Sequence, residues 1–261
     1  MSPTEPTPTP APSARSPADR WTATSTAPQL TLVMPALDEE EAIGATVRGL
    51  LDAFAAAAID LELIVVDNGS RDRTGAIVAK LAADDPRLQL LRRESGHGYG
   101  GGILAGLARA SGEWVGWINA DGQIAPADIV RLAAMALREP RPTLVKVRRV
   151  SRADGLERVV VTLGWNLLCN LLFPSLGSRD VNGSPKLVPR DWLAVHPLRS
   201  QDWFIDPELL LAARRTGLPV VELGVAGLAR GGGRSHVRLG TLAEFFMNLV
   251  RERLRRRGRG R

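Results

Sequence analysis

The sequence predicts a single α/β domain built on a mostly parallel sheet flanked by helices, and three observations carry that expectation. A chain of 261 residues with 44% hydrophobic content is long enough to bury a sizeable core. Six short β-rich runs alternate with helical patterns: LTLVMP from Leu30, LELIVVD from Leu61, LQLL from Leu88, WVGWIN from Trp114, TLVKV from Thr143 and PVVELGV from Pro219. Such alternation implies βα units and parallel strands. Finally, three strand ends are polar: Pro35 to Glu41, Asp67 to Ser70, and Asn119 to Gln123. Loops at the ends of parallel strands surround the crevice where α/β sheets bind ligands. Each loop alone would pass for a turn, since Asn, Asp and Gly are ordinary turn formers. Together they outline a site.

The first helix is signalled by Ile43, Val47, Leu50, Leu51 and Phe54 at helical spacing, with Asp38 and Glu41 placed as a capping box would place them. Its leading turn, PALDEEE, has no glycine and three glutamates. A phosphate there would be repelled, unlike at the Gly-rich turns of dinucleotide-binding folds, so the loop is expected to read a base, a ribose or nothing at all. GHGYGGG (96–102) precedes another helix and offers close backbone approach. From Val159 to Phe173 no residue is charged, while Thr162, Asn166 and Asn170 draw a polar stripe. That run is shorter than the roughly 20 residues of a membrane span.

Residues 1–28 hold seven of the 18 prolines among Thr, Ser and Ala, and read as a disordered tail without a signal peptide. The lone Cys169 excludes an intrachain disulfide and fits a reducing, cytoplasmic setting. Arg251 to Arg261 carries seven Arg against one Glu, a balance of +6 that equals the net charge of the whole chain. It follows an amphipathic pattern (Leu242, Phe245, Phe246, Leu249, Val250, Leu254), so 241–261 reads either as a helix packed on the core with a solvated end, or as an interfacial helix on anionic lipid. No recognition motif for nucleic acid accompanies the charge, and none is expected as a partner.

Six motifs then fall in order: PALDEE (35–40), VDNGSRDRT (66–74), NADGQ (119–123), DVNGSPK (180–186), FIDPE (204–208) and RGGGRSH (230–236). In order and content they resemble the inverting GT-A-fold glycosyltransferases of family 2, within them the polyprenyl-phosphate (dolichol-phosphate) mannose synthase type. The resemblance runs from about Leu30 to Val250 and implies a GT-A domain over 29–240.

The resemblance assigns roles residue by residue. Pro35, Asp38, Glu39, Asp67, Gly69, Asn119 and Ala120 correspond to nucleotide-contacting positions, with Asp67 placed to accept from a base N–H. Asp121 and Gln123 correspond to metal-associated positions. Their oxygens suit Mg²⁺ or Mn²⁺, which stabilises charge on a departing diphosphate. Asn119 stands where the family has a first Asp, which removes one charge. Arg148, Lys186, Arg230, Ser235 and His236 are the acceptor-phosphate candidates, with Asp121, Arg230, Lys186 and His236 as the catalytic set. Lys186 stands where Arg is usual and His236 where Lys is usual. Asp206 and Glu208 are further candidates for base or acceptor contact.

The implied reaction moves a sugar, mannose or glucose, from a GDP- or UDP-linked donor to a polyprenyl phosphate at the cytoplasmic membrane face, the enzyme being peripherally bound. Two rivals stay open: a family 2 transferase with a soluble or saccharide acceptor, and a nucleotide-sugar-binding protein that has lost turnover.

Overall fold

The computed structural model describes residues 27–94, 98–139, 141–151 and 178–228. Seven strands form one sheet in the order β3-β2-β1-β4-β6-β5-β7. They are β1 (Leu30–Ala36), β2 (Leu61–Asp67), β3 (Leu88–Arg92), β4 (Trp114–Trp117), β5 (Leu144–Ser151), β6 (Lys186–Pro189) and β7 (Val220–Ala226). The helices are α1 (Ile43–Ala56), α2 (Thr74–Asp84), α3 (Gly98–Leu107), α4 (Pro126–Arg138), α5 (Arg190–Val195) and α6 (Ile205–Thr216).

All pairings are parallel except those of β6, which runs antiparallel to β4 and to β5. The α/β expectation therefore holds, with one strand the sequence reading did not foresee. KLVP is four residues long, begins with a lysine and ends in proline, so it carries no alternation to recognise.

The sheet separates two apolar layers. Leu30, Leu32 and Met34 of β1 face α1, α2 and α4, whereas Val33 faces the layer of α3 and α6. Central strands buried on both faces explain the near-continuous apolar runs that marked them in the sequence. Pro126 opens α4, where a missing N–H costs nothing.

β1 lies between β2 and β4, so the chain leaves its two sides in opposite directions. This switch point opens a crevice beyond the carboxyl ends of β1 and β4, and the loops 37–42 and 118–125 border it.

Candidate active site

On one side of the crevice the β1–α1 and β2–α2 loops are laced together. Asp38 takes a positive φ of 52°. Its N–H donates to Ser70 Oγ (3.1 Å), and its Oδ1 accepts from the Arg71 N–H (2.7 Å). The Glu39 N–H donates to Thr74 Oγ1 (2.8 Å) and the Glu40 N–H to Asp72 Oδ2 (3.0 Å). Asp72 Oδ1 in turn accepts from the Thr74 amide and hydroxyl. Partial burial would raise the Asp72 carboxyl, but the bonds from Thr74 and Glu40 outweigh it and hold it below its ordinary value.

Three consecutive amides ahead of α1 are thus already satisfied, a stronger bar to phosphate binding there than the glutamates alone. The expected capping box is absent: α1 begins after Ala42, which makes no side-chain cap, and Asp38 serves the neighbouring loop instead.

Asp67 ends β2 with 7% of its surface exposed, and its Oδ1 accepts from the Ser70 N–H (2.9 Å) across the turn at Gly69. Pro35 lies opposite Val66 within the sheet, and Glu39 is buried beneath the loop. A methyl on Gly75 would collide with Asp67 Oδ2, so α2 can pass this close only with glycine. Beside Asp67, Asn68 Oδ1 is buried and has no hydrogen-bond partner among the described residues. It lies in the corner expected to meet the base, and nothing in its sequence surroundings marked it beyond its place at a strand end.

The glycines of the 96–102 run that are described here serve packing within the chain. Added methyls at Gly98 and Gly100 would strike the backbone of residues 200–202, and one at Gly102 would strike Asn68. The close approach expected of this run is to the protein's own chain; Gly96 and His97 lie outside the described residues. Between these contacts Tyr99 stacks on Trp203 (ring centroids 4.0 Å apart, planes within 9°) and donates its hydroxyl to Asn119 Oδ1 (2.8 Å).

Across the crevice, Asn119, Asp121 and Gln123 line a cavity of about 260 Å³ whose other walls include Ile124, Arg149 and Ser184. Ala120 is buried, Asp121 Oδ1 accepts from the Gln123 N–H (3.2 Å), and Gln123 O accepts from the Leu228 N–H (2.8 Å). The oxygens of Asp121 and Gln123 suit a hard divalent ion. Among the described residues no three His, Cys, Asp or Glu side chains gather as a metal cage. The donor set therefore fits an ion that completes its coordination on diphosphate oxygens, as Mg²⁺ does in nucleotide sites, and does not fit a free-standing structural metal.

The cations on the acceptor side are redistributed relative to expectation. Arg148 and Arg149 both belong to β5 and so point to opposite faces. Arg149 is the one that reaches the cavity with Asp121, whereas Arg148 lies on the other face, 3.8 Å from Glu222 Oε2. Two parallel bonds fix Arg149 on Asp180, Nε to Oδ2 and Nη2 to Oδ1, each 2.8 Å. Burial alone would raise the Asp180 carboxyl; the Arg149 bonds and charge, with Lys146 behind them, hold it well below the usual carboxylate range.

Lys186 is not at the surface of the site. It is fully buried and paired with Asp206 (2.8 Å), which also accepts from Trp117 Nε1 (2.9 Å). Its ammonium is committed to Asp206, and Lys186 is not among the side chains that line the cavity. Asp206 shares that buried position, and Glu208 accepts from the amides of Arg199 and Ser200. Arg230, Ser235 and His236, like the 159–173 run and the 241–261 segment, lie outside the described residues.

Sequence reasoning missed Arg149, Asn68 and Tyr99. A longer β5 would have shown Arg149 by alternation with Val145 and Val147. Tyr99 is the only tyrosine in the chain, set within a glycine run.

Comparison with known proteins agrees with this geometry. Residues 31–176, more than half of the chain, match the family described as Glycosyl transferase family 2. A dolichyl-phosphate beta-glucosyltransferase of Trichomonas vaginalis is 26% identical over 209 residues, 75% of this chain and 64% of that protein. An undecaprenyl-phosphate 4-deoxy-4-formamido-L-arabinose transferase of Photorhabdus laumondii is 31% identical over 132 residues, 50% of this chain and 40% of that one. The chain spans less than two thirds of the length of these relatives. Among solved structures, mannosyl-3-phosphoglycerate synthase from Rubrobacter xylanophilus superposes with a TM-score of 0.70 at 20% identity, over 89% of this chain and 75% of that one. Glucosyl-3-phosphoglycerate synthase from Mycobacterium tuberculosis, in complex with Mn²⁺, UDP-glucose and phosphoglyceric acid, gives 0.66 at 23%, over 87% and 79%. The fold is thus that of the GT-A glycosyltransferases, and the chain belongs to glycosyl transferase family 2.

Proposed function

We propose that this chain transfers a hexose from a nucleoside diphosphate sugar to the phosphate of a polyprenyl phosphate, with inversion at the anomeric carbon. The observation that carries the reading is the convergence of Asp121 and Arg149 on one cavity. One wall suits a diphosphate held through a cation, and the other suits a second phosphate. Asp180 takes the Nε–Nη2 edge of the Arg149 guanidinium and fixes its plane, which leaves Nη1 and the outer Nη2 N–H as the edge that could meet a phosphate.

In a single displacement, an acceptor phosphate oxygen attacks the anomeric carbon while the bond to the diphosphate breaks and its electron pair leaves with the diphosphate. The attacking oxygen is already ionised, since a phosphomonoester loses its second proton near pH 6, so no strong protein base is needed. A divalent ion, when bound by Asp121 and Gln123, supplies Lewis-acid stabilisation to the leaving group. Asp67 and Asn68 orient the base, and Arg149 orients the nucleophile.

Relatives named for dolichyl-phosphate and undecaprenyl-phosphate transfer support a lipid acceptor. A fold neighbour holding UDP-glucose and Mn²⁺ makes that pair the first to try. A lipid acceptor would bring the enzyme to the cytoplasmic membrane face, where the Arg251–Arg261 segment suits anionic lipid. Among the described residues no helix is long and apolar enough to cross a membrane.

The test is a donor screen (UDP-glucose, GDP-mannose and others) with purified full-length chain, Mg²⁺ or Mn²⁺, and either a short polyprenyl phosphate or 3-phosphoglycerate. Transfer to the lipid phosphate is expected. Transfer to phosphoglycerate alone would move the acceptor to the soluble class, and nucleotide binding without any transfer would favour a binding protein.

A further inference from the structure

Resting on the acceptor role given to Arg149 above, we propose that Lys146 is a positioning residue for the acceptor phosphate: it pins the turn that carries Asp180, and through Asp180 the Arg149 guanidinium, to the sheet. Lys146, on β5, is fully buried and stands in one row with Lys186 of β6 and Glu222 of β7. Its Nζ donates to Val147 O (2.9 Å), Asp180 O (2.6 Å) and Glu222 Oε1 (3.2 Å). Asp180 O also accepts from the Gly183 N–H (2.9 Å), which closes the turn. Glu222 holds the start of the same turn, accepting from Ser178 Oγ (2.7 Å) and the Arg179 N–H (3.2 Å). A methyl on Gly183 would strike Val147 O and crowd Asp180 Oδ2 and Lys146 Nζ, so the turn lies directly on the lysine. Held in this way, the Asp180 carboxylate accepts from the Arg149 N–H, Nε and Nη2.

For the fold alone, a second buried lysine opposite Lys186 is costly. Like charges opposite each other on a sheet oppose folding, and an apolar side chain of similar length would serve the core as well or better. What an apolar chain cannot do is hold the Asp180 carbonyl. An ammonium has three N–H donors, and here three acceptors use them all. A neutral amine has one fewer, so deprotonation releases Glu222 or one of the carbonyls and loosens the turn beneath Arg149. The charges that face Lys146 are Lys186 from β6, itself paired with Asp206 of α6, Glu222 from β7 with Arg148 beside it, and Asp180 with its partner Arg149. Burial first, then the Lys186 charge, lower the Lys146 ammonium to about 8 against the pull of Asp180 and Glu222. The hold of Arg149 on the acceptor should therefore weaken as pH rises through about 8, well above the second ionisation of a phosphomonoester near pH 6.

The test is initial-rate kinetics of the full-length protein in steps from about pH 7 to about pH 9, either side of the Lys146 titration. The acceptor is farnesyl phosphate or 3-phosphoglycerate, whichever the donor screen shows to be used. At about pH 7, Lys146→Met should raise the acceptor KM on the order of tenfold, the worth of one hydrogen bond to a charged group, while the donor KM, the nucleotide affinity read by titration and the melting temperature do not suffer. Wild type should show a several-fold rise in acceptor KM across the range, and Lys146→Met should not. Added to Arg149→Met, Lys146→Met should cause no further loss. Glu222→Gln keeps an oxygen for Ser178 and Arg179 but removes a charge that favours the ammonium, so its rise in acceptor KM should come at lower pH. That variant decides the matter should Lys146→Met fail to fold. A wild-type acceptor KM in folded Lys146→Met overturns the proposal, as does a joint rise of donor and acceptor KM. A flat wild-type profile, a Glu222→Gln profile that matches wild type, or a full extra loss in the double variant with Arg149→Met overturns it too. If Arg149→Met itself leaves the acceptor KM unchanged, Arg149 loses its acceptor role and the proposal falls with it, whereas absence of any transfer by wild type removes the transferase reading beneath both.

Discussion

Replacing Lys186 by Met should destabilise the domain by about 3–5 kcal/mol, the usual cost of removing one partner of a buried ion pair. The structure puts the site at the upper end of burial: Lys186 and Asp206 are 0% and 2% exposed, 2.8 Å apart. Without the ammonium, the Asp206 carboxylate keeps the bond from Trp117 Nε1 but stays buried with its charge unpaired. Set against a total stability of about 5–15 kcal/mol, the loss is large. It corresponds to a fall in melting temperature of roughly 6–20 °C, at about 2–4 °C per kcal/mol for a domain of this size.

The partner change Asp206→Asn discharges the site and leaves an amide oxygen for Trp117. The double variant Lys186→Met/Asp206→Asn should therefore recover most of the loss, since neutral replacement of a buried pair is often nearly free. Urea and thermal unfolding of the four proteins, read as a double-mutant cycle, measure the coupling. A single Lys186→Met variant within about 1 kcal/mol of wild type would refute the reasoning, because removing one partner of a buried pair costs about 3–5 kcal/mol. So would a double variant as unstable as the two losses added. Sugar transfer by the stable double variant is expected to persist; its loss would return Lys186 to the acceptor site.

Asp121→Ala should abolish transfer with the melting temperature preserved, and near-normal turnover with Mn²⁺ present would remove the metal assignment. Gly75→Ala should displace the Asp67 carboxylate and raise the donor KM with little change in kcat, checked by initial-rate kinetics. Arg149→Met should raise the acceptor KM and lower kcat while nucleotide affinity, measured by titration, stays constant; a pure loss of nucleotide binding would contradict it. Lys146, buried and facing the Lys186 charge, is lowered from 10.5 to about 8. Between those values the unfolded chain binds the extra proton, so stability should rise with pH by about 3 kcal/mol across that window relative to Lys146→Met, and denaturant unfolding at pH 7.5 and 10.5 reads it.

The parallel half of the sheet was legible because its strands are long, apolar and buried on both faces, and their polar ends stand out by contrast. LELIVVD followed by NGS leaves little room for another assignment. The antiparallel insertion was not legible: KLVP has too few residues for a period, and its lysine faces a buried aspartate that is 20 positions away in sequence. For the same reason Lys186 read as an acceptor cation, since sequence shows a positive charge in a motif but not the Asp206 that neutralises it. Arg148 stood alone among the acceptor candidates of this stretch because the strand was read only as TLVKV, and the neighbouring Arg149 takes the opposite face. Asp38 has the right residue type for a helix cap, and only the backbone turn at φ 52° gives it to the neighbouring loop.

The lacing of the β1–α1 and β2–α2 loops sets a rule for re-engineering donor choice. A graft that imported only residues 66–74 from another transferase would have to reproduce Ser70, Asp72 and Thr74, or it would strand the amides of Asp38, Glu39 and Glu40. Stranding the buried Glu39 amide alone costs about 1–3 kcal/mol, and the half-buried amides of Asp38 and Glu40 add to it. The two segments thus form one exchangeable cassette. Chimaeras that move both together should fold and alter base preference, whereas those that move either alone should fail at folding before specificity can be read.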